Sequence, residues 1–249
     1  MNSKGHVVVV GGTKGLGREV AIRFAEQNHA VTVISRHPLA ANGQQVPPIN
    51  HVCVDLETMT SCELIAQQIL NCGGEIRYLI FCQRYRGSGD PWQGEIQVSL
   101  TATRYLINGL TDYFCKSGDC AIGVVSSVYA EFIGGSQPDS YHVAKAGLNQ
   151  LVRYNARVLG RKNIRINAIM PLTYLKPESR DYYLSNDVLM SLYQDFVPLG
   201  RIGHAEDSVN LLEFLCSEKA SFINGQLIFV DGGVSVIWPE ELAKSMAAL

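Results

Sequence analysis

Short runs of β-branched and other apolar residues alternate along this chain with longer stretches in which apolar residues recur at helical spacing. The short runs are apolar at every position, which is typical of parallel strands buried on both faces of a sheet. This pattern predicts seven strands, over Val7–Val10, Ala30–Ile34, His51–Val54, Tyr78–Phe81, Ala121–Val125, Ile164–Ile169 and Gln226–Val230.

The amphipathic stretches between these strands predict helices over Arg18–Glu26, Cys62–Leu70, Val98–Phe114, Ser140–Leu159 and Val209–Leu215. A strand followed by a helix at nearly every step favours an α/β fold. The sequence therefore predicts a single doubly wound Rossmann-type domain over residues 1–249, with a parallel sheet of about seven strands and helices on both faces.

Composition narrows the possible classes of protein. The 249 residues carry a formal net charge of −2 and 18% charged residues, which favours neither a nucleic-acid surface nor a disordered tail. The seven cysteines form no Cys-x-x-Cys pair, which argues against a disulfide framework and a metal site. The first strand begins within a few residues of the start, leaving no room for a signal peptide or membrane span. We expect a cytoplasmic protein with no metal and no nucleic-acid or membrane partner.

A glycine-rich turn follows the first predicted strand and precedes the first helix. Small residues there let the backbone approach a pyrophosphate, whose charge then lies at the positive helix N-terminus. A glycine triplet alone could be only a tight turn, but its place between strand and helix favours dinucleotide binding. The candidate cofactor-binding residues of this turn are Gly11, Thr13, Lys14, Gly15, Leu16 and Gly17.

Ser35 and Arg36 close the second strand, where an NAD enzyme usually has an acid for the ribose 2′-hydroxyl. Arg36 could instead bind a 2′-phosphate through charge-assisted hydrogen bonds, with Lys14 as a second cation. The alternative is that both are ordinary surface cations. Their joint placement favours NADP(H).

Tyr141 is the only one of eleven tyrosines with a lysine, Lys145, four residues later. A phenol ionises only near pH ~10 in water, but an ammonium group one helical turn away favours the phenolate. Ser127 follows the fifth strand, at the sheet end where open α/β folds place their active sites. Its hydroxyl can donate a hydrogen bond to a substrate carbonyl.

With these residues the chain resembles the classical short-chain dehydrogenase/reductase family over essentially its full length. The matching segments are Gly11-x-x-x-Gly15-x-Gly17, Val54-Asp55-Leu56, Ser127, residues 141–147, residues 164–168 and Asp231-Gly232-Gly233. The resemblance implies hydride transfer between a nicotinamide and a ketone or secondary alcohol. It also implies a homo-oligomer, a tetramer or a dimer.

The resemblance assigns roles to individual residues. Tyr141 would be the general acid/base, Lys145 would favour its ionised form while binding the nicotinamide ribose, and Ser127 would orient the carbonyl. Asp55 and Leu56 would flank the adenine. Residues 169–173, among them Pro171 and Thr173, would lie along the nicotinamide.

The chain departs from the family pattern at three places. Val10 stands where a threonine is usual, and Phe81-Cys82-Gln83-Arg84 replaces Asn-Asn-Ala-Gly. Cys82 and Gln83 are still expected beside the cofactor, Cys82 as an apolar filler rather than a nucleophile, and Gln83 and Arg84 could clash with the cofactor or hold it. Ser99 stands where the family has a catalytic asparagine that holds the proton-relay water, and is taken as the fourth catalytic candidate.

The sequence is compatible with several classes of substrate. The family's lid is the segment of residues 172–197, rich in aromatic side chains that could line a pocket or only pack the lid. Arg84 and Arg86, with Lys176 and Arg180 in the lid, suggest an anionic or phosphorylated substrate. A 3-oxoacyl thioester, a sugar derivative and a polyketide-like ketone all fit. A cofactor-binding homologue with impaired catalysis, and a partner or regulatory subunit, are the alternatives to an enzyme.

Overall fold

Seven parallel strands form the central sheet of the computed structural model, which describes residues 4–39, 47–59, 61–175 and 180–247. The sheet order is β3-β2-β1-β4-β5-β6-β9, and each strand agrees with its predicted range to within two residues at either end. These strands are β1 (His6–Val10), β2 (Ala30–Ser35), β3 (Asn50–Cys53), β4 (Ile76–Phe81), β5 (Cys120–Val125), β6 (Ile164–Pro171) and β9 (Leu227–Val230). Two short strands, β7 (Tyr174–Leu175) and β8 (Gly203–His204), pair separately.

Helices cover both faces of this sheet, so the predicted doubly wound fold is confirmed. Within the described ranges they are α1 (Gly15–Glu26), α2 (Cys62–Gly73), α3 (Pro91–Glu95), α4 (Ala102–Leu110), α5 (Asp139–Leu159), α6 (Arg180–Leu184), α7 (Asp187–Phe196), α8 (Ala205–Leu215) and α9 (Pro239–Met246). Strand side chains alternate between two cores. Val9 packs with α1 and α8 on one face, and Val8 packs with α2, α4 and α5 on the other.

The order of the strands places a crevice at the carboxyl ends of the central strands. The chain runs outward from β1 to β2 and β3, then returns to place β4 on the other side of β1. In open α/β sheets ligands bind at the carboxyl ends of the strands beside such a reversal. The loops after β1, β4 and β5 all begin at this position, and they carry many of the candidate residues.

The helix predicted over Val98–Phe114 is present as far as Tyr113, but it begins earlier, at Pro91, and it is not α-helical throughout. The structure has α3, then a π-helical segment at Ile96–Thr101, then α4, and then a 3₁₀ turn at Thr111–Tyr113. The Thr103 hydroxyl donates to the Ser99 carbonyl oxygen (2.7 Å) just after the π segment. A π segment changes the hydrogen-bond spacing without removing the apolar positions, so periodicity alone does not detect it.

A buried ion pair anchors β6, the strand that ends at Pro171. Arg165 donates two hydrogen bonds to Asp119 (2.9 and 2.6 Å), and it also donates to the Leu215 carbonyl oxygen at the end of α8 (2.7 Å). Both side chains are nearly buried. The pair therefore joins the start of β5, β6 and α8.

Candidate active site

One cavity of about 1070 Å³ lies at the carboxyl ends of the strands. It is lined by every candidate catalytic and cofactor-binding residue from the sequence except Ser99, whereas Arg180 of the lid does not line it. The residues brought together in this way are Gly11, Thr13, Lys14, Gly15, Leu16, Gly17, Ser35, Arg36, Asp55, Leu56, Cys82, Gln83, Ser127, Tyr141, Lys145, Pro171 and Thr173.

The glycine turn fits a dinucleotide because side chains are excluded from it. Gly11 (φ +78°) and Gly15 (φ +51°) adopt left-handed backbone conformations that favour glycine. A Cβ atom on Gly17 would lie 2.3 Å from the Gly11 carbonyl oxygen, so no other residue fits there. Lys14 is the N-cap residue of α1, and its ammonium group has no acceptor atom for the N–H groups of the first turn. The turn places this helix N-terminus in the wall of the cavity, a position that favours a pyrophosphate.

The end of β2 carries a cation with an acidic neighbour. The Arg36 guanidinium lies 3.5 Å from the Glu57 carboxylate, and both side chains are exposed. Ser35 donates its hydroxyl hydrogen to the His37 carbonyl oxygen (2.6 Å), so the protein already uses that donor. Asp55 accepts a hydrogen bond from the Glu57 backbone N–H (3.0 Å). Glu57 is a cavity residue that the sequence analysis missed, because its pairing with Arg36 joins two separate loops.

Ser127, Tyr141 and Lys145 meet where β5 ends beside the first two turns of α5. The Lys145 ammonium donates to the Val125 carbonyl oxygen (2.8 Å) and lies 5.6 Å from the centre of the Tyr141 ring. Ser126 donates to the Lys145 carbonyl oxygen (3.3 Å) and so ties the two elements together. Ser127 accepts the Tyr129 backbone N–H (3.2 Å), which leaves its own hydroxyl hydrogen available to a ligand.

Ser99 is not brought together with these residues. It is fully buried in the π-helical segment, where its hydroxyl donates to the Glu95 carboxylate (2.7 Å). Glu95 is itself buried. An interior serine that already donates to a carboxylate does not reach the cavity, which departs from the placement that the resemblance implied.

Gln83 does not block the cavity, although it replaces a small residue of the family. Its amide nitrogen donates to the Thr103 hydroxyl oxygen (2.7 Å), which directs the side chain between the sheet and α4. A Cβ atom on Gly11 would lie 2.7 Å from the Gln83 backbone, so the two loops touch directly. Burial raises the pKa of the neighbouring Cys82 thiol to about 12, which keeps it neutral and unreactive at physiological pH.

Arg84 lies beside Tyr141, a contact that the spacing of residues in the sequence did not predict. Its guanidinium carbon lies 4.9 Å from the centre of the Tyr141 ring, and one of its NH₂ groups donates to the Gln137 side-chain oxygen (3.2 Å). The family has glycine at this position. The sequence therefore indicated that Arg84 is unusual for the family. Only the fold shows that its side chain points toward Tyr141.

Comparison with known proteins agrees with this geometry. A family model described as enoyl-(acyl carrier protein) reductase matches residues 10–235. The chain belongs to the short-chain dehydrogenase/reductase family. It is similar to the 3-oxoacyl-(acyl-carrier-protein) reductase of Chlamydia pneumoniae, with 26% identity over 92% of this chain and 96% of that protein.

Solved structures of the family have the same fold. The ligand-free aldohexose dehydrogenase of Thermoplasma acidophilum superposes with a TM-score of 0.82 and 25% identity, over 95% of this chain and 96% of that one. The NADP complex of RhlG from Pseudomonas aeruginosa superposes with a TM-score of 0.79 and 20% identity, over 93% and 96% of the two chains. This short-chain dehydrogenase/reductase is therefore an oxidoreductase of the type that uses a nicotinamide cofactor.

Other candidate sites are limited. All seven cysteines are free thiols. Over residues 4–39, 47–59, 61–175 and 180–247, no cluster of three or more His, Cys, Asp or Glu side chains could hold a metal ion. No helix in those ranges is long and apolar enough to cross a bilayer. Lys176, which the sequence analysis placed in the lid, lies outside the described residues.

Proposed function

We propose that this protein transfers a hydride between NADP(H) and a ketone or secondary alcohol, with Tyr141 as the general acid/base. The observation that carries the proposal is the convergence of the phenol, the Lys145 ammonium and the Ser127 hydroxyl in a cavity that also includes the glycine turn. The substrate carbonyl would accept hydrogen bonds from Ser127 and Tyr141.

Each residue has a distinct task in this mechanism. When bound, the cofactor supplies or accepts the hydride. During reduction Tyr141 gives its phenolic proton to the carbonyl oxygen, so that C=O becomes CH–OH, and the Lys145 ammonium favours the phenolate that remains. Lys145 is held for this task by the Val125 carbonyl oxygen. Ser127 stabilises the charge that builds on the substrate oxygen.

The charges at the end of β2 support NADP(H) over NAD(H). Arg36 lines the cavity together with Lys14, and a guanidinium is suited to a 2′-phosphate because it can donate two parallel hydrogen bonds. Glu57 opposes this preference only in part, because its pair with Arg36 is long and exposed. The remaining cofactor contacts proposed are those of the glycine turn, Asp55, Leu56, Cys82, Gln83, Pro171 and Thr173.

A second candidate is a cofactor-binding homologue with impaired catalysis. The observation that favours it is the burial of Ser99 against Glu95, because the family's relay asparagine occupies this position. The two candidates differ in turnover and share cofactor binding, so one pair of measurements separates them.

Replacement of Tyr141 by phenylalanine tests the enzyme proposal. We expect kcat to fall by about 10²–10⁴, because only the phenolic oxygen can deliver the proton. NADPH affinity should change by less than about threefold, since the glycine turn and Arg36 hold the dinucleotide. The measurements are ketone-dependent NADPH oxidation over a panel of oxoacyl thioesters, sugars and small ketones, and NADPH fluorescence for affinity.

Tyr154→Phe is the matched control, because Tyr154 lies exposed on the same helix outside the cavity. Near-native kcat in Tyr141→Phe would refute the mechanism. A native protein that binds NADPH but reduces nothing in the panel would favour the second candidate.

A further inference from the structure

Arg84 places a positive charge directly against the residue that exchanges the proton. Its guanidinium carbon lies 4.9 Å from the centre of the Tyr141 ring, and the hydrogen bond to Gln137 holds the side chain there. The Lys145 ammonium lies 5.6 Å from the centre of the same ring. One phenol therefore has two cations beside it.

No acidic side chain balances the charge of Arg84 in the described part of the chain. None of the ion pairs found there includes Arg84. Among the described residues, the acidic ones that line the cavity are Asp55 and Glu57, which follow β3, and Glu57 pairs with Arg36 at the proposed adenosine end. The end of the cavity near Tyr141 thus carries positive side chains, whereas the proposed adenosine end carries side chains of both charges.

The hydrogen-bonding capacity of Arg84 is also only partly used. A guanidinium has five N–H donors, and within the described residues Arg84 makes one hydrogen bond, to Gln137. Its Nε atom is buried and has no partner among the described residues, so that donor is not open to the cavity. The terminal NH₂ groups of Arg84 remain, and a carboxylate could accept charge-assisted hydrogen bonds from them. Gly, the family's residue here, offers no such donor.

The geometry points to a substrate whose carboxylate lies one or two bonds from the reacting carbon, a 2-oxo or 3-oxo acid or the corresponding hydroxy acid, bound through Arg84. The inference rests on the proposed function, because it takes the Tyr141 hydroxyl as the proton donor to the carbonyl. Since the guanidinium lies against that same ring, a carboxylate on Arg84 and a carbonyl on Tyr141 must belong to nearby atoms. A phosphate on a longer chain fits this spacing less well.

Matched pairs of substrates test the inference. Acetoacetate and pyruvate are compared with their uncharged methyl esters, and dihydroxyacetone phosphate is compared with dihydroxyacetone. We expect kcat/KM with NADPH to be at least about tenfold higher for the acids than for their esters. Arg84→Gln should lower the ratio of acid to ester kcat/KM by roughly 10- to 100-fold, a ratio in which any effect of the lost charge on Tyr141 cancels because it is common to both substrates.

Two further variants separate a specific contact from a general electrostatic effect. Arg84→Lys keeps the charge but loses the paired donors, so it should recover only part of the acid preference. Arg161→Gln removes the same charge from an exposed position just after α5 that does not line the cavity, and should lower the acid values by less than about threefold. NADPH affinity, measured by fluorescence, should be the same in all variants.

A binding measurement keeps the test independent of turnover. Acetoacetate cannot be reduced when NADP⁺ is the cofactor, so its Kd can be measured by calorimetry in the NADP⁺ complex. Tighter binding of acetoacetate than of its methyl ester, lost in Arg84→Gln, would support the inference even if no ketone were reduced, an outcome that would refute only the proposed function. Equal affinities, an equal loss in Arg161→Gln, or a preference confined to the phosphate would overturn it.

Discussion

Arg36 faces both the cavity and Glu57, so its charge is divided between a ligand and a neighbour. We predict that Arg36→Asp weakens NADPH binding by roughly 10- to 100-fold, since a charge-assisted contact to phosphate contributes about 1.5–3 kcal/mol. NADH binding should be retained or improved. Glu57→Gln, the reciprocal change, should strengthen NADPH binding by up to about fivefold, because an exposed pair contributes less than about 1 kcal/mol. Fluorescence titration with both cofactors measures all three proteins, and equal native affinity for both would contradict the NADP(H) proposal.

The cysteines differ in their access to reagents, which gives a second prediction at this scale. Burial raises the pKa of Cys82 and of Cys216 to about 12, so roughly one molecule in 10⁴ carries either thiolate at pH 8. Cys53 is exposed. We expect iodoacetamide at pH 8 to label Cys53 first and to leave Cys82 and Cys216 unlabelled until the protein is denatured, as read by peptide mass spectrometry. Early labelling of Cys82 would contradict the raised pKa of this thiol, which lies in the wall of the cavity.

The ion pair of Arg165 and Asp119 carries the prediction at the scale of elements. Asp119→Ala leaves a buried guanidinium without its carboxylate, so we expect the free energy of unfolding to fall by about 3–5 kcal/mol. Asp112→Ala is the matched control, because Asp112 pairs with Lys162 on the surface. That change should cost less than about 1 kcal/mol. Urea unfolding at one fixed protein concentration compares the two variants. Equal losses of unfolding free energy would refute the role of the Arg165–Asp119 pair in anchoring β6.

The segment from α3 to α4 shows why an element can be predicted in part. Its apolar positions were correctly assigned to helix, and Leu106, Ile107 and Leu110 do pack on the sheet. The π-helical turn was not predicted, because apolar periodicity does not separate π from α spacing. The Ser99–Glu95 hydrogen bond joins residues four apart, but that spacing does not show that both are buried where the segment packs against α5. Local propensity does not contain that information.

At the scale of the whole molecule, exposed apolar side chains support the proposal of a homo-oligomer. Val143, Tyr154 and Val158 are exposed on α5, and Val236 and Trp238 are exposed near the C-terminal end of the described residues. Such side chains favour association between copies of the chain. We predict a tetramer or dimer by light scattering at micromolar concentration, and a smaller species for Tyr154→Glu. A native monomer under these conditions would refute the proposal.

The sequence by itself determined the strand pattern, the fold class and most of the cavity. Fully apolar runs such as Val7–Val10, alternating with amphipathic helices, are typical of a parallel sheet covered by helices on both faces, and a glycine turn after β1 then lies at the carboxyl end of that sheet. Tyr141 and Lys145 share a helical face because of their spacing alone. These inferences are local, or follow from rules that hold for every open α/β sheet.

Only the tertiary structure decided where individual side chains point between elements. Gln83 turns toward Thr103, Arg84 turns toward Tyr141, Ser99 bonds to Glu95 within the interior, and Glu57 reaches Arg36 from another loop. Each of these directions is chosen by competition among packing, hydrogen bonding and charge in a space built by several segments. The residues of such a site can be predicted from the sequence. The positive charge near Tyr141 arises only when the fold brings those segments together.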